Sequence, residues 1–256
     1  MSQLRVALVQ SRLQWRDPAR NRAHLSAHLD GIEQADLCVM PETFTTGFLG
    51  DTPDVDEGMD GETVAWLQNE AAARSSALCG SAVISDAVGR RNRFLFADPA
   101  GPLHIYDKRH LFTYAGEHKR YIAGEERVTF DYAGWRVCPQ VCYDLRFPAW
   151  CRNRDDYDLL IFVANWPAPR IAAWDTLLRA RAIENQCYVI AVNRVGEDGR
   201  GLAYPGHSAI YDPLGETVVA PWEDEDVREA VIDLGRVREV REDFPFAADA
   251  DGFTFD

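Results

Sequence analysis

The chain has 256 residues, of which 46% are hydrophobic, and a formal net charge of −14, a composition typical of an acidic globular protein. So acidic a chain is not expected to bind nucleic acid without sequence preference, because that binding requires a basic face. No stretch approaches the ~20 apolar residues of a membrane-spanning helix, so we expect no membrane partner.

The N-terminal apolar run, residues 6–10, is too short for a signal peptide, and we expect a cytoplasmic protein. Cysteines in such a chain are expected to be reduced thiols. They are Cys38, Cys79, Cys138, Cys142, Cys151 and Cys187. A zinc site at Cys138 and Cys142 stays open as an alternative, although no matching pair of His or Cys residues follows.

Short apolar runs bounded by turn or charge signals predict buried strands along the chain. In chain order they are RVALVQ, DLCVMP, ALCGSAVI, RFLFADP, WRVCPQVCYD, DLLIFVANWP, CYVIAVNRVG, HSAIYDP and EAVIDL. Helices are predicted between several of them, over residues 16–35, GETVAWLQNEAAARSS and AAWDTLLRARAIENQ. The third helix is expected to bury one face through Trp174, Leu177, Leu178, Arg181 and Ile183.

The alternation of strands and helices predicts an α/β fold. RFLFADP is followed by PLHIYDK across a turn that contains Gly101, which indicates an antiparallel hairpin. We therefore expect mixed sheets rather than purely parallel ones.

Three charged side chains are candidates for a site. Two of them directly follow predicted strands, and the third lies in a polar loop. Glu42 comes just after DLCVMP, where a partly desolvated carboxylate with a raised pKa could act as a general base. Lys108 follows IYD and could stabilise an oxyanion or a thiolate. Glu117 lies in the loop 113–126, which could form the wall of a site. A turn cap, a surface lysine and a solvated turn are the respective alternatives.

Cys142 stands where the strand WRVCPQVC gives way to the polar, turning sequence YDLRFP. A strand that stops at a sharp turn can expose its last side chain and the following N–H groups to one site. Cys138 lies earlier in the same strand, where a thiol is usually a small buried hydrophobe. Cys142 is therefore the candidate for a reactive thiol.

Four segments in this order, MPETFTTGF, YDKRHLF, GEH and VCYDLRFP, resemble the motifs of the nitrilase, or carbon–nitrogen hydrolase, superfamily. VANWP, LRARAIENQ, NRVG and GHSAIYDPLGE resemble its later blocks, so the likeness extends over nearly the whole chain. The resemblance implies one domain over residues 1–256. It also implies a four-layer α-β-β-α sandwich of two mixed sheets flanked by helices.

The same resemblance implies a cysteine hydrolase that uses neither a metal nor an organic cofactor. By position in the motifs, Cys142 is the implied nucleophile and Glu42 the general base. Lys108 is the implied cation that stabilises the oxyanion, together with the N–H of Tyr143, and Glu117 orients Lys108. Other carboxylates close to this fourth position stay open as alternatives, namely Glu125 and Glu126.

Within the superfamily, the motifs are most similar to those of omega-amidases, which hydrolyse the terminal amide of 2-oxoglutaramate or 2-oxosuccinamate. The distal carboxylate of such a small-molecule substrate requires a cation or N–H donors. Arg146 is a candidate, although we favour the interpretation that it pairs with Asp144 and braces the turn. Trp166 and Phe44 could line the pocket or pack in the core.

Other functions stay open because the shared motifs do not separate an amide from a nitrile or an N-carbamoyl substrate. A non-catalytic binding protein on the same fold is a further alternative, although the presence of all four candidate site residues argues against it. The tail DFPFAADADGFTFD, residues 243–256, carries four phenylalanines that could pack on a partner, and we expect at least a homodimer.

Overall fold

The computed structural model describes residues 3–50 and 57–255. The strands in this part of the chain are β1 (Gln3–Gln10), β2 (Leu37–Val39), β3 (Ala77–Ser85), β4 (Arg90–Ala97), β5 (Leu103–Asp107), β6 (Phe130–Tyr132), β7 (Trp135–Val141), β8 (Leu159–Ala164), β9 (Tyr188–Asn193), β10 (Val195–Glu197), β11 (Ala203–Pro205), β12 (Ala209–Tyr211), β13 (Thr217–Val219) and β14 (Asp226–Asp233). The α-helices are α1 (Pro18–Asp30), α2 (Glu62–Arg74), α3 (Pro148–Cys151), α4 (Ile171–Asn185) and α5 (Leu234–Asp243).

Two six-stranded sheets are formed by these strands, and β10 and β11 make a separate pair. The first sheet has the order β14-β1-β2-β3-β4-β5, with β1, β2 and β3 parallel and the other neighbours antiparallel. The second has the order β13-β12-β9-β8-β7-β6, with β7, β8 and β9 parallel. The prediction of mixed sheets with a β4–β5 hairpin is confirmed.

Three clusters of buried apolar side chains define the layers of the fold. Inward-facing residues of both sheets, such as Leu8 and Ile161, form one core between the sheets. Outward-facing residues of the first sheet pack against α1 and α2, for example through Leu25. Those of the second sheet pack against α4, for example through Leu178. Each buried Leu or Ile contributes roughly 1.5–3 kcal/mol, so this burial holds helices outside and sheets inside. The predicted four-layer α-β-β-α sandwich is confirmed.

Helix boundaries differ from the predicted ones for local reasons. The helix predicted over residues 16–35 runs only from Pro18 to Asp30, because Asp17 caps its first turn by accepting the Arg20 N–H and Gly31 closes its last turn. Helix α5 was not predicted, because its sequence is mostly charged.

The buried face of α4 agrees with the prediction at Trp174, Leu178 and Arg181. The prediction was wrong for Ile183, whose side chain is 50% exposed. Asn185 is buried in its place, since the i, i+4 spacing from Arg181 keeps it on the inner face.

The C-terminal tail lies against its own chain up to residue 255, and Asp256 falls outside the described residues. Phe255 packs on Trp150, with ring centroids 5.1 Å apart, and the Arg154 guanidinium lies 4.7 Å from the Phe253 ring centroid. Phe244 and Phe246 remain 43% and 63% exposed. Among the described helices, none is both long and apolar enough to cross a membrane.

Candidate active site

Three charged side chains that the sequence places far apart meet inside the fold. Lys108 follows β5, and its Nζ donates to Glu42 Oε1 at 2.9 Å. The same Nζ donates to Glu117 Oε1 and Oε2 at 3.1 and 3.0 Å. All three side chains are at most 1% exposed. One ammonium is therefore held between two carboxylates with almost no access to water.

Two asparagines complete the surroundings of Glu42. Asn92 of β4 donates its Nδ2 to Glu42 Oε1 at 2.8 Å and to Glu117 Oε1 at 3.3 Å. The backbone N–H of Asn165, just after β8, donates to Glu42 Oε2 at 2.7 Å. The Asn165 Nδ2 donates to the Glu42 carbonyl at 2.9 Å and to Thr43 Oγ1 at 2.9 Å. Glu42 is fixed from both sheets, so its carboxylate has little freedom to rotate.

The pKa of Glu42 is lowered in the fold, whereas the sequence suggested a raised one. Burial alone would raise the pKa, but the Lys108 ammonium and the Asn165 N–H outweigh it and hold the pKa of Glu42 below its ordinary value. Glu42 is thus a carboxylate at neutral pH, which is the form that accepts a proton.

Burial acts in opposite directions on the pKa values of Glu117 and Lys108, and the charge of each side chain opposes the effect of burial on the other. Burial raises the pKa of Glu117, although the Lys108 ammonium and the Phe112 N–H lower it. The Phe112 N–H lies 2.5 Å from Glu117 Oε2. Burial lowers the pKa of Lys108, but Glu117 and Glu42 raise it well above its ordinary value. Lys108 is therefore an ammonium throughout the physiological range. The alternative carboxylates Glu125 and Glu126 are exposed.

Cys142 sits at a sharp turn, directly after the last residue of β7. Its φ is +47°, in the left-handed region that non-glycine residues rarely adopt. It opens the 3-10 helix Cys142–Arg146, so the strand ends at this residue and the chain turns away. This is the sharp strand-end turn that the sequence predicts.

The turn is held by Asp144, which is fully buried. Asp144 Oδ2 accepts from the Val141 N–H at 3.0 Å and from the Tyr106 hydroxyl at 2.8 Å. Asp144 Oδ1 accepts from the His110 N–H at 2.9 Å and contacts His110 Nδ1 at 2.8 Å. Residues flanking Lys108 are in this way tied to the turn that carries Cys142.

The favoured interpretation of Arg146 was wrong. Both oxygens of Asp144 are used by other donors, and the Arg146 guanidinium instead lies 5.0 Å from the Trp166 ring centroid. Arg146 lines the same cavity as Cys142. The guanidinium thus faces the cavity and leaves the bracing of the turn to neighbouring residues.

Cys142 differs from the other thiols by its access to the cavity. It is partly exposed, whereas the five other cysteines are buried and all six are free. Burial and the neighbouring Glu42 carboxylate raise the pKa of Cys142 well above its ordinary value, and Lys108 opposes them. Cys142 is therefore a thiol at rest and needs a base to become a nucleophile. Cys138 belongs to the apolar core outside the second sheet, as expected for a small buried hydrophobe.

A cavity of about 380 Å³ opens beside Cys142 and Lys108. Three candidates from the sequence, Tyr143, Arg146 and Trp166, line this cavity. Phe44 does not, and the prediction that it walls the pocket was wrong. Thr43 has φ +43°, so the chain turns and Phe44 is buried in the core outside the first sheet, 5.8 Å from the Trp66 ring.

Comparison with known proteins is consistent with this geometry. Residues 5–242 match the carbon-nitrogen hydrolase family. The chain is 44% identical over 254 residues to omega-amidase YafV of Escherichia coli (strain K12), covering 99% of each chain. The chain belongs to the carbon-nitrogen hydrolase family.

Two further proteins, one of them a solved structure, are similar to this carbon-nitrogen hydrolase. The chain is 36% identical over 220 residues to 2-oxoglutaramate amidase of Bacillus subtilis (strain 168), covering 83% of this chain and 84% of that one. A solved structure of a CN-hydrolase superfamily protein from Xanthomonas campestris superimposes with a TM-score of 0.97 at 49% identity, covering all of both chains. The recognition of the superfamily, with greatest likeness to omega-amidases, is confirmed.

Several residues that shape this carbon-nitrogen hydrolase site were missed from the sequence. Asn165 follows a buried strand, a signal that could have identified it. Asn92 stands among arginines in RRNRF, a pattern that is typical of a solvent-exposed segment. The local sequence therefore does not indicate that Asn92 is buried. The cavity-lining arginines Arg170 and Arg200 were also missed, although they follow VANWP and NRVG by only a few residues, because an arginine outside a motif is typical of a solvated surface.

Proposed function

We propose that the protein is an omega-amidase, which hydrolyses the terminal amide of 2-oxoglutaramate or 2-oxosuccinamate to a carboxylate and ammonia. The observation that carries this proposal is the position of Cys142 in a cavity shared with Lys108 and three arginines. The cysteine and its charged neighbours suit attack on an amide, and the arginines suit an anionic small molecule. The names of the two curated relatives support the same substrate class.

In the first half-reaction, Glu42 accepts the Cys142 proton as Sγ attacks the amide carbon. The tetrahedral intermediate carries an oxyanion, which the Lys108 ammonium and the Tyr143 N–H stabilise. Its collapse breaks the C–N bond, and protonated Glu42 gives its proton to the departing nitrogen, so ammonia leaves and a thioester remains. A lowered pKa suits Glu42 to the first step, since it is ionised before substrate arrives.

In the second half-reaction, water enters where ammonia left. Glu42 accepts a proton from the water as its oxygen attacks the thioester carbon. The second tetrahedral intermediate collapses, the C–S bond breaks, and Glu42 returns the proton to the Cys142 sulfur. The net change is amide plus water to carboxylic acid plus ammonia, and neither metal nor organic cofactor takes part.

Glu117 has a positioning role in this proposal. Both of its oxygens contact Lys108 Nζ, and the Phe112 N–H fixes the carboxylate. Lys108 is in consequence held in one rotamer beside Cys142. Preorganised charge of this kind stabilises an oxyanion without reorganisation during the reaction.

The distal carboxylate of the substrate is assigned to Arg146. This guanidinium lines the cavity and stacks on Trp166, whose indole is in turn held by its Nε1 donating to the Arg170 carbonyl at 2.8 Å. Tyr143 also lines the cavity and packs edge-on against Phe112, with ring centroids 5.0 Å apart. The substrate would thus lie with its amide at Cys142 and its carboxylate at Arg146.

Replacing Arg146 with glutamine is expected to raise KM for 2-oxoglutaramate by about 10-fold to 100-fold, with a smaller change in kcat. A hydrogen-bonded guanidinium–carboxylate contact is lost, while the reacting groups are untouched. Steady-state kinetics on 2-oxoglutaramate and on a neutral linear amide of equal length check this. Equal losses on both amides would show that Arg146 supports the fold of the pocket rather than the carboxylate.

Ranking kcat/KM across substrate classes tests the proposed function. The panel contains 2-oxoglutaramate, 2-oxosuccinamate, glutamine, asparagine, an N-carbamoyl amino acid and a simple nitrile. We expect one of the two oxo-amides to lead. If a nitrile or an N-carbamoyl amino acid had the highest kcat/KM, the thioester mechanism would stand but the proposed substrate class would be wrong. Activity on none of them would contradict the amidase proposal.

We further propose that residues 1–256 act as one catalytic domain, that the protein is at least a homodimer and that it works in the cytoplasm. Exposed Phe244 and Phe246 near the C-terminus support a partner surface, and free thiols suit a reducing compartment. Solution scattering tests the dimer, and a monomeric mass at micromolar concentration would contradict it.

A further inference from the structure

A second cluster of chemically versatile side chains lies outside the cavity. His24 and His28 are four residues apart on α1, so their rings share one face of the helix. Both direct Nε2 at the same oxygen, Glu225 Oε1, at 2.7 and 3.2 Å. The three potential ligand atoms lie within 4.8 Å of one another. None of these residues lines the Cys142 cavity.

Glu225, in the connection between β13 and β14, is held in place by the end of β1. The Arg12 N–H donates to Glu225 Oε1 at 2.7 Å, and Arg12 Nε lies 3.3 Å from Oε2. The carboxylate is therefore oriented before any ligand arrives.

We propose that His24, His28 and Glu225 form a binding site for a divalent transition-metal ion, with zinc as the natural occupant. Two imidazole nitrogens and one carboxylate oxygen are ligands that Zn²⁺ accepts and that Ca²⁺ and Mg²⁺ do not favour. Ligand atoms about 2.1 Å from a tetrahedral ion lie roughly 3.4 Å apart. The 3.2 Å spacing of His28 Nε2 from Oε1 is close to this, and His24 Nε2, at 2.7 Å, would have to move outward. The 41% exposed side chain of His24 leaves room for water as the fourth ligand.

Arg12 makes the site weaker than its ligands alone would. Its guanidinium contacts Oε2 and orients the carboxylate from behind, while its backbone N–H donates to Oε1 and leaves the other lone pair of that oxygen for an ion. Its positive charge nevertheless repels a cation. A bound ion would link α1 to the β13–β14 connection. Removing the Arg12 charge is expected to strengthen metal binding, the opposite of removing a ligand.

Isothermal titration of the full-length protein with ZnCl₂ tests the proposal. Cys142→Ala is used as the background, so that the reactive thiol does not compete for metal, and binding rather than activity is measured. The ligand variants are His24→Gln, His28→Gln and Glu225→Gln. His104→Gln, a partly exposed histidine of β5 that stacks on Phe130, is the matched control. Circular dichroism confirms that each variant is folded.

We expect one equivalent of zinc, weakened at least about tenfold by each ligand variant and unchanged by His104→Gln. Arg12→Gln should bind more tightly, and Co²⁺ should give a d–d absorption band without a thiolate charge-transfer band. Zinc binding that survives the ligand variants would overturn the proposal. So would no binding by the background protein and by Arg12→Gln, which would leave a purely structural ion-pair cluster.

Discussion

Replacing Lys108 with methionine is expected to lower kcat on 2-oxoglutaramate by at least about 10³-fold and to destabilise the fold by about 3–5 kcal/mol. The catalytic loss follows because the oxyanion loses its cation. The stability loss follows because the buried carboxylates of Glu42 and Glu117 lose the one cation that balances their charge. Chemical denaturation and steady-state kinetics measure the two effects.

A matched control is available in the same loop. Lys119 is exposed, and Lys119→Met is expected to change neither kinetics nor stability. If Lys108→Met behaved like this control, the assignment of Lys108 as the buried cation of the site would be wrong.

The stability loss in Lys108→Met is also expected to depend on pH. Without the ammonium, burial raises the pKa of Glu42 above its unfolded value and raises the pKa of Glu117, already elevated, still further. A raised pKa in the fold adds stability that is complete below the unfolded pKa and is lost as pH rises through the folded pKa. The deficit relative to wild type should therefore grow as pH rises above the ordinary glutamate pKa of about 4.3. A deficit independent of pH would contradict this coupling.

Replacing Glu42 with glutamine is expected to reduce kcat by about 10³-fold to 10⁴-fold, because one base serves both half-reactions. The change also turns one acceptor oxygen into a donor. Each carboxylate oxygen of Glu42 already accepts hydrogen bonds, from Lys108 and Asn92 on one side and Asn165 on the other. An amide nitrogen would face a donor, so a loss of about 1–3 kcal/mol in stability is expected too.

Kinetics and denaturation of Glu42→Gln are compared with Glu125→Gln, which changes an exposed carboxylate. The control should match wild type. If Glu42→Gln retained more than a tenth of wild-type kcat, a different residue would have to accept the Cys142 proton.

The sequence singles out the candidate reacting residues because each stands at a strand end within a recognisable motif. Glu42, Lys108 and Cys142 follow β2, β5 and β7, and the fold brings those ends to one place. Residues that act through tertiary packing were less predictable. Asn92 lies inside a strand, and only the pairing of β4 with β3 and β5 buries it beside Glu42.

Two of the wrong predictions concern residues that stand two positions from a well-placed residue. Phe44 lies only two residues from Glu42, but the left-handed turn at Thr43 sends its ring into the outer core. Arg146 stands two residues from Asp144, yet Tyr106 and His110 reach that carboxylate first. Neither partner is visible in the local sequence, since both come from β5 and the segment that follows it.

The central claim is that Cys142 attacks a 2-oxo-amide, and ammonia release from 2-oxoglutaramate by wild type and Cys142→Ala tests it most directly. Cys138→Ala, which removes a buried thiol of the same strand, is the control. We expect equimolar ammonia and 2-oxoglutarate from wild type and from the control, and none above background from Cys142→Ala. Release by Cys142→Ala at the wild-type rate, or no release by wild type, would contradict the account.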